Sequence, residues 1–512
     1  MQVSSIIDGR PVPGGRAANS TNPSRLDEVV AEVSFADAAT LVSAAGSAKK
    51  AQSGWAAIPA PVRGRAIAQI GRAVERNKEA LARIVTAEIG KPYAESLGEV
   101  QEIIDTCDFF LGEGRRLYGQ TVPSEMADKQ LFTFRRPVGS VAVITAGNFP
   151  VAVPSWYIVP ALLAGNTIVW KPAEYSPAAS AAFHEIFVAG GGLPDGVFNI
   201  VHADGAATFA GLETSLDQGL IDKIGFTGSS AVGREVGGLA GRHLQTACLE
   251  LGGKNPMVIT PAADLDLAVE GALFAGFGTA GQRCTSLGTV IVHESVHQDF
   301  LARFNAAVAA APVGDPAQAV VMGPLMDAKF ADRYEEFLGW VQPHHRVQAE
   351  QGRITAENPR NGFIGDPAAG LFYHPVVVDG VRPGDRIFDE ETFGPIVGVT
   401  AYRDFAEAIE LANAPGYGLS SAIYTDDARE AFAFRDGISA GMVSINNSTS
   451  GAEAHLPFGG NGKSGNGSRQ SGVWVLDQFT RWQSVNWDYS GKLQKAQMDT
   501  EELVGNPGFT LA

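Results

Sequence analysis

The sequence predicts an α/β fold: a doubly wound parallel sheet, a second α/β domain and a small β arm. Three observations predict it. From Val138 onward, short β-rich runs alternate with helical stretches, the rhythm of βαβ units. Residues 141–170 carry no charge over 30 positions, as expected of strands and a helix buried on every side. Residues 124–136 are polar and then alternate, and residues 484–489 alternate near the C-terminus, so the two predict a pair of extended strands outside the main sheets.

In chain order, residues 36–54 and 61–90 read as helices, with apolar positions every three or four residues over 63–77 and 78–89; 99–110 continues the pattern. Strands follow at 141–144, 167–170, 197–201 and 223–226, with a helix at 178–189. Open sheets of this kind bind ligands at the carboxyl ends of their strands. A second α/β unit runs from about Asn255 to Ile445, with helices at 264–277 and 296–311 and a strand at 290–292. Residues 344–370 read as a surface loop, and 451–472 are glycine-rich.

Composition narrows the function. The chain has 512 residues, enough for two or three domains, and is 45% hydrophobic and 19% charged. A net charge of −17 with no dense Lys/Arg cluster excludes a nucleic-acid partner. The three cysteines, Cys107, Cys248 and Cys284, are far apart and form no C-x-x-C pair. That argues against a disulfide framework and structural zinc, predicts no metal, and fits the reducing cytoplasm. The first ten residues lack the basic start and apolar block of a signal peptide. The uncharged stretch is long enough for a membrane span, but Asn148, Pro150, Pro154, Pro160 and Asn166 break it, so no membrane association is expected.

The chemistry centres on Cys284, which follows Arg283 in a segment of small and polar residues and lies 34 residues beyond Glu250. A nucleophilic thiol must be a thiolate part of the time and needs a base that later activates water. Cys284 and Glu250 can supply that pair; the alternatives are a buried structural cysteine and an exposed glutamate at a strand end. Asn148 follows a predicted strand and precedes Phe149-Pro150. Its amide can donate to an oxyanion, with the Cys284 N–H as second donor, or simply shape the turn. Residues 225–233 read as strand, glycine turn and helix, which offers free N–H groups to a phosphate.

Five segments, in order and in register from about residue 20 to the C-terminus, carry a resemblance. They are Thr145-Ala146-Gly147-Asn148-Phe149-Pro150, Phe226-Thr227-Gly228-Ser229, Leu249-Glu250-Leu251-Gly252-Gly253, Gly281-Gln282-Arg283-Cys284-Thr285 and Glu391-Thr392-Phe393-Gly394-Pro395. Together they resemble the aldehyde dehydrogenase superfamily. The resemblance implies oxidation of a small-molecule aldehyde by way of a Cys284 thiohemiacetal and thioester, with Glu250 as base and Asn148 in the oxyanion site. It implies a nicotinamide cofactor held by Ile144, Thr145, Lys171, Glu174, Gly228, Ser229, Val232, Leu251, Glu391 and Phe393. Lys171 and Glu174 would face the adenosine ribose, and the Glu174 charge would repel a 2′-phosphate, favouring NAD over NADP. It also implies a cofactor domain over 1–117 and 137–254, a catalytic domain over 255–446, and an oligomerisation arm with C-terminal segment over 118–136 and 447–512. A homodimer or homotetramer follows from the same likeness.

Residues 447–453 and 489–492, Val100-Gln101-Glu102 and the run 278–283 are similar to the antiquitin-like branch, which oxidises α-aminoadipic semialdehyde. That likeness would place Glu102, Phe149, Arg283, Thr285, Gly451 and Ala452 at the substrate. Arg283 would pair with its carboxylate and Glu102 with its ammonium. Arg283 is equally readable as a structural arginine behind the nucleophile, and Glu102 as a solvated face. Two features depart from the branch: the Lys-Pro-Ala-Glu form at 171–174, and Arg481 where many superfamily members have a glutamate. Phe149, Trp156 and Phe277 support a rival reading, a pocket for aromatic or simple aliphatic aldehydes. A catalytically silent binding or structural protein on this scaffold would need to lose Cys284, Glu250 or Asn148, and all three are present.

Overall fold

The computed structural model describes residues 1–348, 350–495 and 503–511. Two seven-stranded sheets organise the chain. In the first, the central strand Ser140–Ile144 pairs in parallel with Thr167–Lys171 on one side and Lys223–Thr227 on the other. Phe198–Ile200 and Cys248–Glu250 extend the two wings, also in parallel. The chain therefore starts at the centre, moves one way, and returns to build the other side. This reversal opens a crevice at the carboxyl ends of Ser140–Ile144 and Lys223–Thr227.

The uncharged stretch resolves as strand, helix, strand. Every residue of the helix Ala152–Ala164 is buried, which is why it needs no polar face. Among the described residues no helix is long and apolar enough to cross a membrane.

The second sheet is parallel over six strands, in the order Val376–Asp379, Ile396–Tyr402, Leu287–His293, Asn255–Ile259, Ser420–Tyr424 and Met442–Ile445. A short strand, Arg346–Gln348, adds an antiparallel edge inside the region read as a loop. The arm forms as the alternation predicts. Thr480–Asp488 lies antiparallel to Lys129–Pro137, from Thr480 opposite Pro137 to Asp488 opposite Lys129. Asn166 ties this arm to the first sheet: its side chain donates to Phe479 O at 2.9 Å and accepts from Gly139 N at 2.9 Å.

Residues 1–35, to which the sequence reading assigns no element, form strands. Ser5–Ile7 and Arg10–Val12 make a hairpin on the edge of the first sheet, turning at Asp8 and Gly9 with φ of 55° and 71°. Asp-Gly is the dipeptide that two-residue hairpin turns select, so the signal was present. The final part of the C-terminal segment, residues 496–502 and 512, lies outside the described residues.

Candidate active site

Every proposed catalytic side chain sits where a strand ends or begins. Asn148 follows the central strand of the first sheet, Glu250 closes its outer strand, and Cys284 precedes the strand Leu287–His293 of the second. The site thus lies between the two sheets.

Cys284 is half-buried on a cavity of about 430 Å³. Burial, then the charges of Glu250 and Glu391, push its thiol up to about 12, while backbone N–H groups of Thr285 and Cys284 itself favour the thiolate. Two residues to which the sequence reading gave no role of their own place the segment. Asn255 donates to Cys284 O at 2.9 Å and Ser286 O at 2.7 Å, and accepts from Ser420 N at 3.0 Å. Gly253 allows the Glu250 segment to pass close by, since a Cβ there would stand 2.6 Å from Cys284 O.

Asn148 is buried, and one of its amide hydrogens is committed to Gln282 O at 2.9 Å. That bond fixes the amide plane and leaves the second N–H for an oxygen on the substrate carbon. Asn148→Ala is expected to lower kcat by about 10²- to 10³-fold, the loss of one oxyanion donor. Steady-state kinetics with the KM reported separately checks this.

Glu250 is 3% exposed, with Oε1 accepting from Gly460 N at 3.2 Å and Oε2 without a protein partner. Burial pushes its carboxyl well above the usual range. A buried oxygen without a partner is costly unless something occupies its free side, and a water is what a general base would hold there. The glycine-rich run closes over this group: a Cβ on Gly459 would lie 2.7 Å from Oε1.

A second cavity, of about 250 Å³, lies at the crevice predicted by the strand order. Ile144, Thr145, Lys171, Glu174, Gly228, Ser229 and Val232 all line it. Ser229 caps the helix Ser230–Arg242, so the first free N–H groups of that helix face the cleft. Glu174 is exposed and accepts from Gly205 N at 3.1 Å, while burial lowers the Lys171 ammonium and Glu174 partly restores it. A hydroxyl acceptor, a hydroxyl donor and a helix N-terminus in one cleft are the parts that an adenosine ribose and a pyrophosphate require. Lys329, which the sequence reading did not single out, stands on the same cleft over the Tyr175 ring at 4.0 Å.

Leu251, Glu391 and Phe393 lie apart from that cleft. Leu251 packs under the helix, where a Cβ on Gly233 would meet its side chain at 2.3 Å. Glu391 accepts from Gly253 N at 3.1 Å, and burial raises its carboxyl to about 7. It therefore sits over the backbone that joins Glu250 to the Cys284 segment. Phe393 packs on Phe330, with centroids 5.8 Å apart.

Glu102, Phe149, Arg283, Thr285, Gly451 and Ala452 all line the Cys284 cavity. Arg283 has the contacts of the structural alternative: it forms an ion pair with Glu95 and donates to Thr279 Oγ1 at 3.3 Å. Glu102 is not a solvated face, because its Oε2 is buried without a partner and burial raises its carboxyl to about 8. Phe277 is not on the cavity either; it is buried in the second core, stacked on Phe304 at 6.1 Å. Trp156 is on it, against Phe458 at 4.7 Å. Arg481 is exposed on the arm opposite Arg136.

His344, His345 and Asp385 form one cluster with metal-ligand chemistry. His345 Nδ1 accepts from Gln342 N at 2.9 Å, which leaves its proton on Nε2, 3.0 Å from Asp385 Oδ2. Ligation through Nε2 would turn Nδ1 into a donor facing another donor, so the cluster reads as a hydrogen-bonded loop anchor.

Comparison with known proteins agrees with this geometry. Residues 12–485 match the aldehyde dehydrogenase family. The chain is 36% identical over 488 residues to α-ketoglutarate semialdehyde dehydrogenase of Haloferax volcanii, covering 93% of this chain and 96% of that protein. It is 35% identical over 479 residues to α-aminoadipic semialdehyde dehydrogenase of Mus musculus, covering 92% and 86%. Its fold superposes on that of betaine aldehyde dehydrogenase from Staphylococcus aureus, solved in complex with NAD+, with a TM-score of 0.89 at 27% identity over 96% of this chain and 95% of that one. With matching sequence over nearly its whole length, the chain belongs to the aldehyde dehydrogenase family.

Proposed function

We propose that this protein oxidises a semialdehyde to the corresponding acid with NAD, by way of a thiohemiacetal and then a thioester on Cys284. The observation that carries this reading is the cavity that Cys284 lines together with a wall of ionisable groups, Glu95, Glu99, Glu102 and Arg283. A pocket for a plain hydrocarbon tail has no use for such a wall. Two relatives are named for semialdehydes, which supports the same class.

The residues divide the work. The Cys284 thiolate attacks the aldehyde carbon, and Asn148 Nδ2 with the Cys284 N–H steadies the oxygen as it gains charge. A bound nicotinamide would supply the hydride acceptor that this oxidation requires. Glu250 then takes a proton from a water, which attacks the thioester and frees Cys284. Lys171, Glu174 and the helix N-terminus at Ser229 would hold the adenosine end of the cofactor, and Leu251, Glu391 and Phe393 the nicotinamide end. The Glu174 carboxylate favours NAD, with NADP the alternative that a parallel assay separates. Residues 1–117 and 137–254 would form the cofactor unit and 255–446 the catalytic unit. The arm supports a homodimer or homotetramer, with Trp482 and Trp487 exposed on its outer strand. Three unpaired cysteines suit the cytoplasm.

Burial sets the pH dependence. Glu250 and Cys284 both act when deprotonated, and both are raised, Cys284 to about 12. The active fraction therefore grows with pH: kcat/KM, through the Cys284 thiolate, and kcat, through Glu250 as well, are expected to climb from about pH 6 to about pH 9 rather than peak near neutrality. A pH–rate profile at saturating NAD checks this.

Trp156 and Phe458 on the cavity favour a second reading, oxidation of aromatic or simple aliphatic aldehydes. NADH formation over α-aminoadipic, succinic and glutaric semialdehydes, benzaldehyde and hexanal decides between them. A preference of about tenfold in kcat/KM, roughly 1.4 kcal/mol, for a semialdehyde supports the first reading. The same preference for benzaldehyde or hexanal overturns it.

A further inference from the structure

The helix Tyr93–Arg116 turns three glutamates, Glu95, Glu99 and Glu102, toward the Cys284 cavity. Spacings of four and three residues put them on one face. Glu99 is occupied: it pairs with the buried Lys91, and its Oε1 accepts from Val151 N at 2.9 Å and Ala152 N at 3.1 Å. Glu102 keeps a buried oxygen without a partner.

Glu95 differs from both, because it crosses to the segment that carries the nucleophile. Its Oε1 accepts from Thr279 N at 3.2 Å, and its Oε2 accepts from the Thr279 hydroxyl and from Arg283 Nη2. Thr279, Ala280 and Gly281 have φ of 50°, 53° and 68°. Three successive left-handed residues, two of them with side chains, persist only where the surroundings hold them. Glu95 is one such hold, acting on Thr279, five residues ahead of Cys284.

The same carboxylate decides what Arg283 offers the cavity. Arg283 is 7% exposed, its guanidinium lies 4.5 Å from the Phe274 ring centroid, and Nε and Nη2 are occupied. Among the described residues Nη1 makes no hydrogen bond. An anion approaching Nη1 would meet a cation already neutralised by Glu95, with Glu102 close by. A partner charge in a site of low dielectric cancels most of the attraction that the cation would otherwise exert.

We propose that Glu95 is a specificity-determining residue: by pairing with Arg283 it sets how strongly the cavity binds aldehydes with a carboxylate at the far end, while its hold on Thr279 presents Cys284. This rests on the reading of the cavity as the aldehyde site. Glu95→Gln removes the charge and keeps an acceptor for Thr279. Glu95→Ala removes both.

The test separates binding from turnover. Calorimetric titration of the full chain with glutarate is expected to show binding at least about fivefold tighter in Glu95→Gln than in the unmodified protein. The gain is expected to vanish in Glu95→Gln/Arg283→Met, with pentanamide binding unchanged throughout. An affinity for glutarate within about twofold of the unmodified protein, no binding to Glu95→Gln, or a gain that survives Arg283→Met overturns the proposal. Aldehyde oxidation by the unmodified protein tests the functional reading apart from this. In kinetics, Glu95→Gln lowers KM for succinic semialdehyde but not for butanal, whereas Glu95→Ala lowers kcat for both. A merely structural role would move the two aldehydes together. Glu95→Asp, expected to give a smaller gain, serves if the glutamine variant does not fold.

Discussion

Glu250→Gln is expected to stop turnover after one round of oxidation. The variant keeps Cys284, Asn148 and the cofactor cleft, so it forms NADH up to about one equivalent per site and then stalls. The stall follows from the chemistry of the second half: a thioester in a site closed by Gly459 and Gly460 needs a water, and the base that deprotonates it is gone. Loss of a positioned general base typically costs about 10²- to 10⁴-fold, so steady-state kcat falls by that factor. Glutamine retains the acceptor for Gly460 N, which keeps the fold effect small. Rapid-mixing absorbance gives the burst and the steady state from one trace. A variant with neither burst nor turnover would place Glu250 before hydride transfer, and one with normal turnover would remove it from the mechanism.

Cys284→Ala is expected to lose both phases. Without the thiolate no covalent intermediate forms, and kcat falls by at least about 10⁴-fold, the scale of nucleophile deletions in other covalent enzymes. The fold should persist, because Cys284 is only half-buried and its segment is fixed through backbone groups held by Asn255. Cofactor binding, read by fluorescence titration, is expected to change little. Removing Cys107 instead probes packing alone, since it is buried in the first core.

The placement of the candidate catalytic residues was readable because each motif ends or begins a strand, and strand order alone brings the carboxyl ends of Ser140–Ile144, Lys223–Thr227 and Cys248–Glu250 together. The arm was readable for a similar reason: alternation marked both partners, although 343 residues separate Pro137 from Thr480. What stayed hidden depends on which residues meet across the fold. Nothing local to Arg283 reveals that Glu95, 188 residues away, neutralises it. Phe277 and Trp156 look alike as apolar residues near motifs, yet one stacks in the second core and the other lines the cavity. The role of Asn255 was hidden too, because an asparagine opening a strand gives no sign that two carbonyls of the nucleophile segment lie within its reach. The strands of residues 1–35 were missed for a different reason. Three of them are only two or three residues long, and in the longer pair, Arg16–Asn22 and Arg25–Phe35, polar and charged residues interrupt the apolar alternation.

The most direct test of the covalent mechanism is the mass of the Cys284 peptide. Glu250→Gln protein is mixed with NAD and succinic semialdehyde, quenched in acid and digested. The account predicts that the acyl group of the substrate is found on Cys284, in an amount matching the NADH burst. NADH formed with an unmodified Cys284 peptide, or an acyl group on another residue, would contradict it.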